Sequence, residues 1–268
     1  MRARVTHLSV APVKGMRITS VDALDLDATG ARGDRAFLVV DPGDHALQLT
    51  LRSPRLLQIV PRWDGEALTL AFPDGTEVSA IPAPGAAATT ANYAGRPIRG
   101  RIVEGPLAAA ISNHVGRPAQ LLMRDRGERG ADDAPVTLMS AASLEALAPE
   151  LGGVVPDARR FRMTIAIAGV SAWEEHGWAG REIAVGDALL RGIDPVSRCA
   201  VTTRDPEQGT TDAPVLKALA TLRGKRDVTF GLWCDVVAPG RVRVGDDVVT
   251  PGAEPLPGGV DRAGARHR

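Results

Sequence analysis

The sequence contains little cysteine and few aromatic residues, and its charges balance. Two cysteines among 268 residues exclude a disulfide scaffold, an iron–sulfur cluster held by four protein thiolates and a cysteine-rich zinc module. Aromatic residues make up 3%, too few for a base-stacking platform. The 32 basic and 32 acidic residues leave no net charge to attract a nucleic-acid backbone. We therefore expect no nucleic-acid partner.

Long hydrophobic runs are also absent. Runs such as Met163–Val170 fall far short of the ~20 residues that a membrane-spanning helix needs. The first residues enter a strand-like pattern without the apolar core of a signal peptide. We expect no membrane association and a cytoplasmic protein whose thiols stay reduced.

Short apolar segments separated by turn residues dominate the chain and predict a mainly β fold with a few helices (α+β). Helical spacing is confined to Pro106–Val115, to a segment capped by Ser140 or Ser143 that ends near Leu151, and to Pro214–Leu222. The first hundred residues are typical of a barrel or sandwich, and a Pro/Gly/Ala-rich loop is predicted at Pro82–Ala88. Strands are predicted among other places at Leu56–Val60, Phe161–Ala168 and Ala200–Thr203.

Cys199 is the first candidate for chemistry. A free cysteine is often a small buried hydrophobe, which remains one interpretation here. Arg198 and Arg204 lie on either side of it, however, and cationic neighbours favour the thiolate, which attacks electrophiles and binds metals. Cys234 lies in a predicted strand and is interpreted as a packing residue.

Other metal and nucleophile arrangements fit poorly. The sequence has no CxxC or HxxxH motif, and its five histidines are scattered, so zinc is not expected. A cysteine–histidine pair with His114 or His176 stays open, although no spacing favours it. Neither a Walker loop nor a GxGxxG motif after a strand is present. Anion binding would therefore rest on dispersed cations, with Lys14, Arg35 and Arg162 as candidates and a surface salt bridge as the alternative for each.

Several motifs together resemble the MOSC family, named for the C-terminal domain of molybdenum-cofactor sulfurase. The resemblance covers Arg4 to Val249 and rests on these segments: Ala11-Pro-Val-Lys-Gly15, Gly33-Asp-Arg-Ala-Phe37, Arg160-Phe-Arg162, Ser197-Arg-Cys-Ala-Val-Thr-Thr-Arg-Asp-Pro206, Phe230-Gly-Leu-Trp233 and Arg243-Val-Gly-Asp246. By layout, the chain is most similar to the amidoxime-reducing components of mitochondria and to bacterial reductases of N-hydroxylated bases.

The resemblance implies a domain order. We expect a MOSC N-terminal β-barrel domain at residues 1–122, a mobile loop or linker at 123–134, a β-barrel-like MOSC domain at 135–252 and a frayed tail at 253–268.

The resemblance also implies a cofactor and a site. The cofactor would be the molybdenum cofactor, molybdopterin carrying molybdenum, with Cys199 as the metal ligand and catalytic residue. Further cofactor contacts would come from Lys14, Gly15, Arg35, Arg162, Thr164, Arg198 and Trp233. Thr164 stands where relatives often carry asparagine in a Phe-Arg-Pro-Asn motif.

The implied function is the reduction of small N-hydroxylated compounds, with electrons from a separate flavoprotein or ferredoxin. Two alternatives remain at this point. One is a sulfur carrier or sulfurtransferase that uses a Cys199 persulfide, and the other is a non-catalytic protein that binds the molybdenum cofactor.

Overall fold

The computed structural model describes residues 2–48, 50–92, 94–128, 132–225 and 228–249. Strands dominate these ranges: β1 Ala3–Val10, β2 Val13–Lys14, β3 Thr19–Val21, β4 Ala23–Asp27, β5 Gly30–Ala31, β6 Phe37–Val40, β7 Val60–Trp63, β8 Leu68–Ala71, β9 Glu77–Ala80, β10 Ala83–Ala91, β11 Pro97–Glu104, β12 Gln120–Arg124, β13 Val136–Ser140, β14 Ile165–Ala168, β15 Glu182–Val185, β16 Ala188–Ser197, β17 Thr229–Ala238, β18 Gly240–Arg243 and β19 Asp247–Val249. The helices are α1 Pro106–Val115, α2 Ala141–Glu145 and α3 Val215–Arg223, with 3-10 turns at Pro54–Gln58, Ala148–Leu151, Ala158–Phe161, Glu174–Trp178 and Ala200–Thr203. The predicted mainly β fold class is confirmed.

Seven strands close into a barrel. Their order is β14-β13-β17-β16-β15-β19-β1, and β1 pairs back onto β14, while β3 extends the sheet outside the ring. Among the barrel pairings described, only β13 and β14 run parallel. Fully buried aliphatic side chains, including Leu8, Leu138, Ile165, Leu190 and Leu232, fill the interior. Closure pairs every barrel strand on both sides, so the barrel has no open edge.

A second β layer is built from the first half of the chain. Its five-stranded sheet has the order β10-β11-β12-β6-β2, and β7, β8 and β9 form a separate antiparallel meander. Phe37 of β6 meets Trp63 of β7 edge to face, with ring centroids 5.0 Å apart. Helix α1 contributes Leu107 and Ile111 to the same core. The helix has the predicted bounds, because Pro106 suits its first turn and Gly116, at φ +74°, ends it.

Two local predictions in this part are wrong. Pro82–Ala88, predicted as a loop, largely belongs to β10, which pairs with β11. The strand lies at the edge of its sheet, where a proline without an N–H group is tolerated. Leu56–Val60, predicted as a strand, is mostly the 3-10 turn Pro54–Gln58, since proline favours the first turn of a helix and lacks a ladder donor.

Three further predictions need correction in the second half. Phe161–Ala168 is a strand only from Ile165, because a 3-10 turn ends at Phe161. Ala200–Thr203 is a 3-10 turn, with the Thr202 amide donating to the Cys199 carbonyl at 3.2 Å. The helix capped by Ser140 is interrupted, since α2 ends at Glu145 and a separate 3-10 turn covers Ala148–Leu151.

The domain boundaries drawn from the sequence stay a prediction. Strand β1, near the start of the chain, pairs with β14 and β19 of the second half and completes the barrel. Residues 123 and 124 of the predicted linker belong to β12. The tail predicted at 253–268 lies outside the described residues.

None of the described helices has the length and apolar content that are required to cross a bilayer.

Candidate functional site

The Cys199 thiol lies at an exposed turn directly after β16. Thr202 holds this turn, because its amide and its hydroxyl both donate to the Cys199 carbonyl, at 3.2 and 3.1 Å. Cys234 has the opposite environment: its side chain is fully buried in the barrel, and burial raises the pKa of its thiol well above the usual range. Cys234 is therefore a packing residue, as predicted, whereas the Cys199 thiol is accessible to a ligand or a reactant.

Arg198 anchors the segment that carries Cys199. Its guanidinium donates to the Phe161 carbonyl at 2.8 Å and to the Phe230 carbonyl at 3.0 and 2.6 Å. It also lies against the rings of Phe161 and Phe230, 5.6 and 5.8 Å from their centroids. Burial lowers the pKa of Arg198 to about 9, against the favourable charges of Cys199 and Asp132. The Arg198 side chain thus holds the Cys199 turn against Phe161 and Phe230, and its positive charge interacts with the Cys199 thiol.

Asp34 and Arg35 tie the start of the chain to the site. The Asp34 carboxylate accepts a hydrogen bond from the Ala11 amide at 2.7 Å, and the Arg35 amide donates to the Ala11 carbonyl at 2.8 Å. Arg35 adopts φ +47°, an uncommon conformation for a residue with a side chain. The Arg35 guanidinium forms an ion pair with Asp34 and a second with Asp132, the latter at 2.5 Å from Nε to Oδ2. Burial opposes its charge, but these two carboxylates raise the pKa of Arg35 above its usual value.

Lys14 approaches the same carboxylate from β2. This short strand runs parallel to β6, which places Lys14 opposite Leu38. The Lys14 ammonium donates to Asp132 Oδ1. Gly15 follows at φ +89°, and an added Cβ there would lie 3.2 Å from the Thr50 hydroxyl. The positive φ and the close Thr50 side chain therefore favour glycine at position 15, directly after the lysine that contacts Asp132.

Arg162 completes a group of four cations. Like Arg35 it has a positive φ, +55°, and its carbonyl accepts a hydrogen bond from Arg35 Nη2 at 3.2 Å. Burial and the neighbouring Arg35 charge lower the pKa of Arg162 to about 10. Its Nη2 atom is buried and has no hydrogen-bond partner among the described residues. A buried donor of this kind is costly unless a ligand or a water satisfies it.

We call the side chains of Lys14, Arg35, Arg162, Arg198, Asp34 and Asp132 the cation cluster. The four cations and two carboxylates leave it a formal charge of +2 at neutral pH. Asp132 is central, since Arg35, Lys14 and Arg162 all lower the pKa of its carboxyl against the effect of burial. Such a cluster can bind a dianionic group through charge-assisted hydrogen bonds.

Two predicted site residues, Thr164 and Trp233, lie outside the cation cluster itself. Thr164 is buried and exchanges hydrogen bonds with Thr137, 3.1 Å between the hydroxyls, so its side chain joins β13 to the turn before β14. It borders a narrow cleft together with Arg35 and Asp132. Trp233 is half-buried on β17, opposite Thr137 in the register. The structure therefore brings Lys14, Gly15, Arg35, Arg162 and Arg198 together, with Thr164 behind them.

Sequence reasoning missed Asp132. Asp132 belongs to the segment at 123–134, for which the sequence predicts a mobile loop or linker. Two acids of this segment instead make specific contacts: Asp132 contacts Lys14 and Arg35, and Asp133 accepts a hydrogen bond from Asn92 at 3.1 Å. No local pattern distinguishes such an acid from a solvated one.

Within the described ranges, no group of three or more His, Cys, Asp and Glu side chains is arranged to hold a metal ion.

Two family models cover most of the chain. The MOSC N-terminal beta barrel domain matches residues 2–116, and the MOSC domain matches residues 125–249. The chain belongs to the MOSC family.

The similar proteins carry names from one area of chemistry. The mouse (Mus musculus) mitochondrial amidoxime-reducing component 1 is 28% identical over 91% of this chain and 81% of its own length. The human protein of the same name is 27% identical, over 91% of this chain and 82% of its own. A molybdenum cofactor sulfurase of Caenorhabditis elegans is 24% identical over 85% of this MOSC chain but 33% of its own length. Among solved structures, the YuaD protein from Bacillus subtilis has a TM-score of 0.47 at 16% identity, over 92% of this chain and 94% of its own.

Proposed function

We propose that this MOSC protein binds the molybdenum cofactor, with Cys199 as its thiolate ligand, and reduces N-hydroxylated compounds. The observation that carries the proposal is the exposed Cys199 thiol next to a cation cluster with a surplus of positive charge. The amidoxime-reducing components to which the chain is similar support the choice of substrate class.

The residues present fit this cofactor. Molybdopterin ends in a phosphate monoester, which is largely dianionic at neutral pH, and the cation cluster offers Lys14 and Arg35 to such a group. The buried Nη2 of Arg162 supplies a donor that has no partner among the described residues. A soft thiolate at Cys199 suits a soft metal–sulfur centre. The cation cluster would therefore bind the phosphate of the cofactor, and the Cys199 thiolate would bind its metal.

The reaction balances as the uptake of two electrons and two protons, which cleaves the N–O bond and releases water. When bound, the molybdenum centre would supply the electrons and accept the oxygen atom. The protein's own residues would position that chemistry: Arg198 fixes the turn of Cys199, and Lys14, Arg35 and Arg162 would hold the phosphate end. The exposed Cys199 side chain is accessible to a small substrate, and a separate flavoprotein or ferredoxin would deliver the electrons.

Metal and pterin analysis of protein from a cofactor-competent host tests the proposal. Wild type should contain close to one molybdenum and one pterin per chain, and Cys199→Ser should lose the molybdenum. Cys234→Ala is the matched control, since it removes the other thiol, which lies buried in the barrel. Loaded wild type should also convert benzamidoxime to benzamidine with a strong artificial reductant. Loaded protein without turnover would contradict the reductase assignment.

The exposure of Cys199 also favours a second candidate, a sulfur carrier. The thiolate would attack the outer sulfur of a donor persulfide, releasing the donor thiolate and leaving a persulfide on Cys199. Incubation with a cysteine desulfurase and cysteine would then add roughly 32 mass units, the mass of one sulfur atom, to Cys199. If this mass increase is found on a protein that contains neither molybdenum nor pterin, the sulfur-carrier function replaces the reductase assignment. Pterin without molybdenum or turnover would instead identify a non-catalytic cofactor-binding protein.

A further inference from the structure

The carboxylate of Asp132 occupies the centre of the cation cluster. One oxygen accepts from the Lys14 ammonium, and the other lies 2.5 Å from Arg35 Nε. This arrangement pairs two oxygens of one anion with two different cations, as a bound phosphate group would. Asp132 therefore makes the contacts on Lys14 and Arg35 that a phosphate would need.

The two carboxylates of the cluster differ in how firmly they are held. Asp34 serves the backbone as well as Arg35, because it accepts a hydrogen bond from the Ala11 amide. The side chain of Asp132 contacts the cations, while its backbone carbonyl accepts from Arg96 at 3.2 Å. Rotation of the Asp132 side chain would therefore free Lys14 and the Nε of Arg35 without moving the backbone, while Arg35 keeps its ion pair with Asp34.

Little free space remains beside this carboxylate. The cleft bordered by Arg35, Asp132 and Thr164 has a free volume of about 10 Å³, which is room for about one water molecule. A phosphate group does not fit in this cleft, so an anion that binds the same Lys14 and Arg35 atoms must take the position of the Asp132 carboxylate. The anion and the carboxylate must exclude each other.

We propose that Asp132 is an internal counter-ion that holds the place of an incoming phosphate group and leaves Lys14 and Arg35 when that group binds. The role of Asp132 is a property of the ligand-free protein, and only the identity of the ligand, a phosphate-bearing pterin, rests on the proposed function. The carboxylate stabilises the empty cluster and weakens the binding of every anion that must displace it.

The test compares phosphate binding by ligand-free wild type and Asp132→Asn. Protein from a host unable to make molybdopterin is titrated with inorganic phosphate at constant ionic strength, with calorimetry as the readout. The variant should bind phosphate about tenfold or more tightly, because a neutral amide competes poorly for the two cations. Its melting temperature without phosphate should be lower than that of the wild type.

Asp157→Asn is the matched control. It makes the same substitution at a partly buried aspartate that pairs with Arg159, outside the cation cluster. Phosphate affinity should stay within about twofold of the wild type, since no cluster charge changes.

Equal or weaker phosphate binding by Asp132→Asn would overturn the proposal and make Asp132 part of the receptor. If that variant does not fold, wild-type crystals with and without phosphate decide: the Asp132 carboxylate should leave Lys14 when phosphate is present, and an unmoved carboxylate refutes the exchange.

The pterin content of Asp132→Asn, expressed in a host that makes molybdopterin, distinguishes free phosphate from the phosphate of the cofactor as the natural ligand. Tighter phosphate binding with pterin at or above the wild-type level supports exchange with the cofactor. If Asp132→Asn binds phosphate more tightly but neither it nor the wild type carries pterin, the exchange is supported and the proposed function is refuted. If the wild type carries a normal amount of pterin but Asp132→Asn binds phosphate no more tightly, the exchange of Asp132 for phosphate is refuted and the proposed function is retained.

Discussion

Replacing Arg198 should destabilise the protein far more than replacing an ordinary surface arginine. The side chain donates to the carbonyls of Phe161 and Phe230 and contacts both rings, which are stacked 3.9 Å apart. Arg198→Met removes these donors and the charge together. Arg198→Lys keeps the charge but cannot donate in the fixed planar geometry of a guanidinium.

The magnitude follows from the contacts. Each of two carbonyls that loses its donor costs about 1–3 kcal/mol, and the cation–π contacts add about 1–2 kcal/mol. The cost of burying a guanidinium offsets part of this sum. We expect Arg198→Met to lower the free energy of unfolding by about 2–5 kcal/mol and Arg198→Lys by about half as much.

Urea unfolding at 25 °C measures the difference, provided that the slope against urea stays constant. Arg191→Met is the control: Arg191 lies on β16, the strand that ends directly before Arg198, in an exposed ion pair with Glu182, and its loss should cost at most about 0.5 kcal/mol. An Arg198→Met protein within about 1 kcal/mol of wild type would refute the anchoring role of Arg198.

Two further substitutions test close contacts outside the cation cluster. Burial raises the pKa of the Glu175 carboxyl despite the hydrogen bond from Ser143, so the stability that the protonated carboxyl contributes is fully present below its ordinary pKa of 4.5 and is lost as pH rises through the folded pKa. The stability of Glu175→Gln relative to wild type should therefore increase in thermal unfolding as pH rises above 4.5, and parallel curves would contradict this. Gly209→Ala places a Cβ 2.4 Å from the Pro54 carbonyl oxygen. Measured by urea unfolding, it should lower the free energy of unfolding by about 1–3 kcal/mol more than Gly152→Ala, because Gly152 has a similar φ but open space around its Cβ position. Equal losses for the two variants would exclude the clash.

Local features of the fold could be predicted from the sequence wherever a residue acts on its own neighbours. Helix α1 has the bounds predicted from its apolar spacing, and its initial proline and terminal glycine explain where it begins and ends. The same local reasoning failed for β10, because the strand depends on pairing with β11 and not on the propensity of its alanines and prolines.

The candidate site divides in the same way. Cys199, Arg198, Lys14 and Arg35 stand in short motifs, so their residue types and spacing were visible in the chain. Their convergence depends on β2 running parallel to β6 and on the left-handed backbone at Arg35, neither of which a residue pattern specifies.

The sequence by itself determined the fold class, the family resemblance and most residues of the cluster. The tertiary structure alone decided between the two interpretations of Cys199, because the exposure of its thiol depends on how the turn after β16 packs against the rest of the chain. It alone also assigned Asp132 to the cluster, since this acid meets Lys14 across a sequence separation of 118 residues. An ion pair of that span is created by the packing of the whole chain, and no local propensity encodes it.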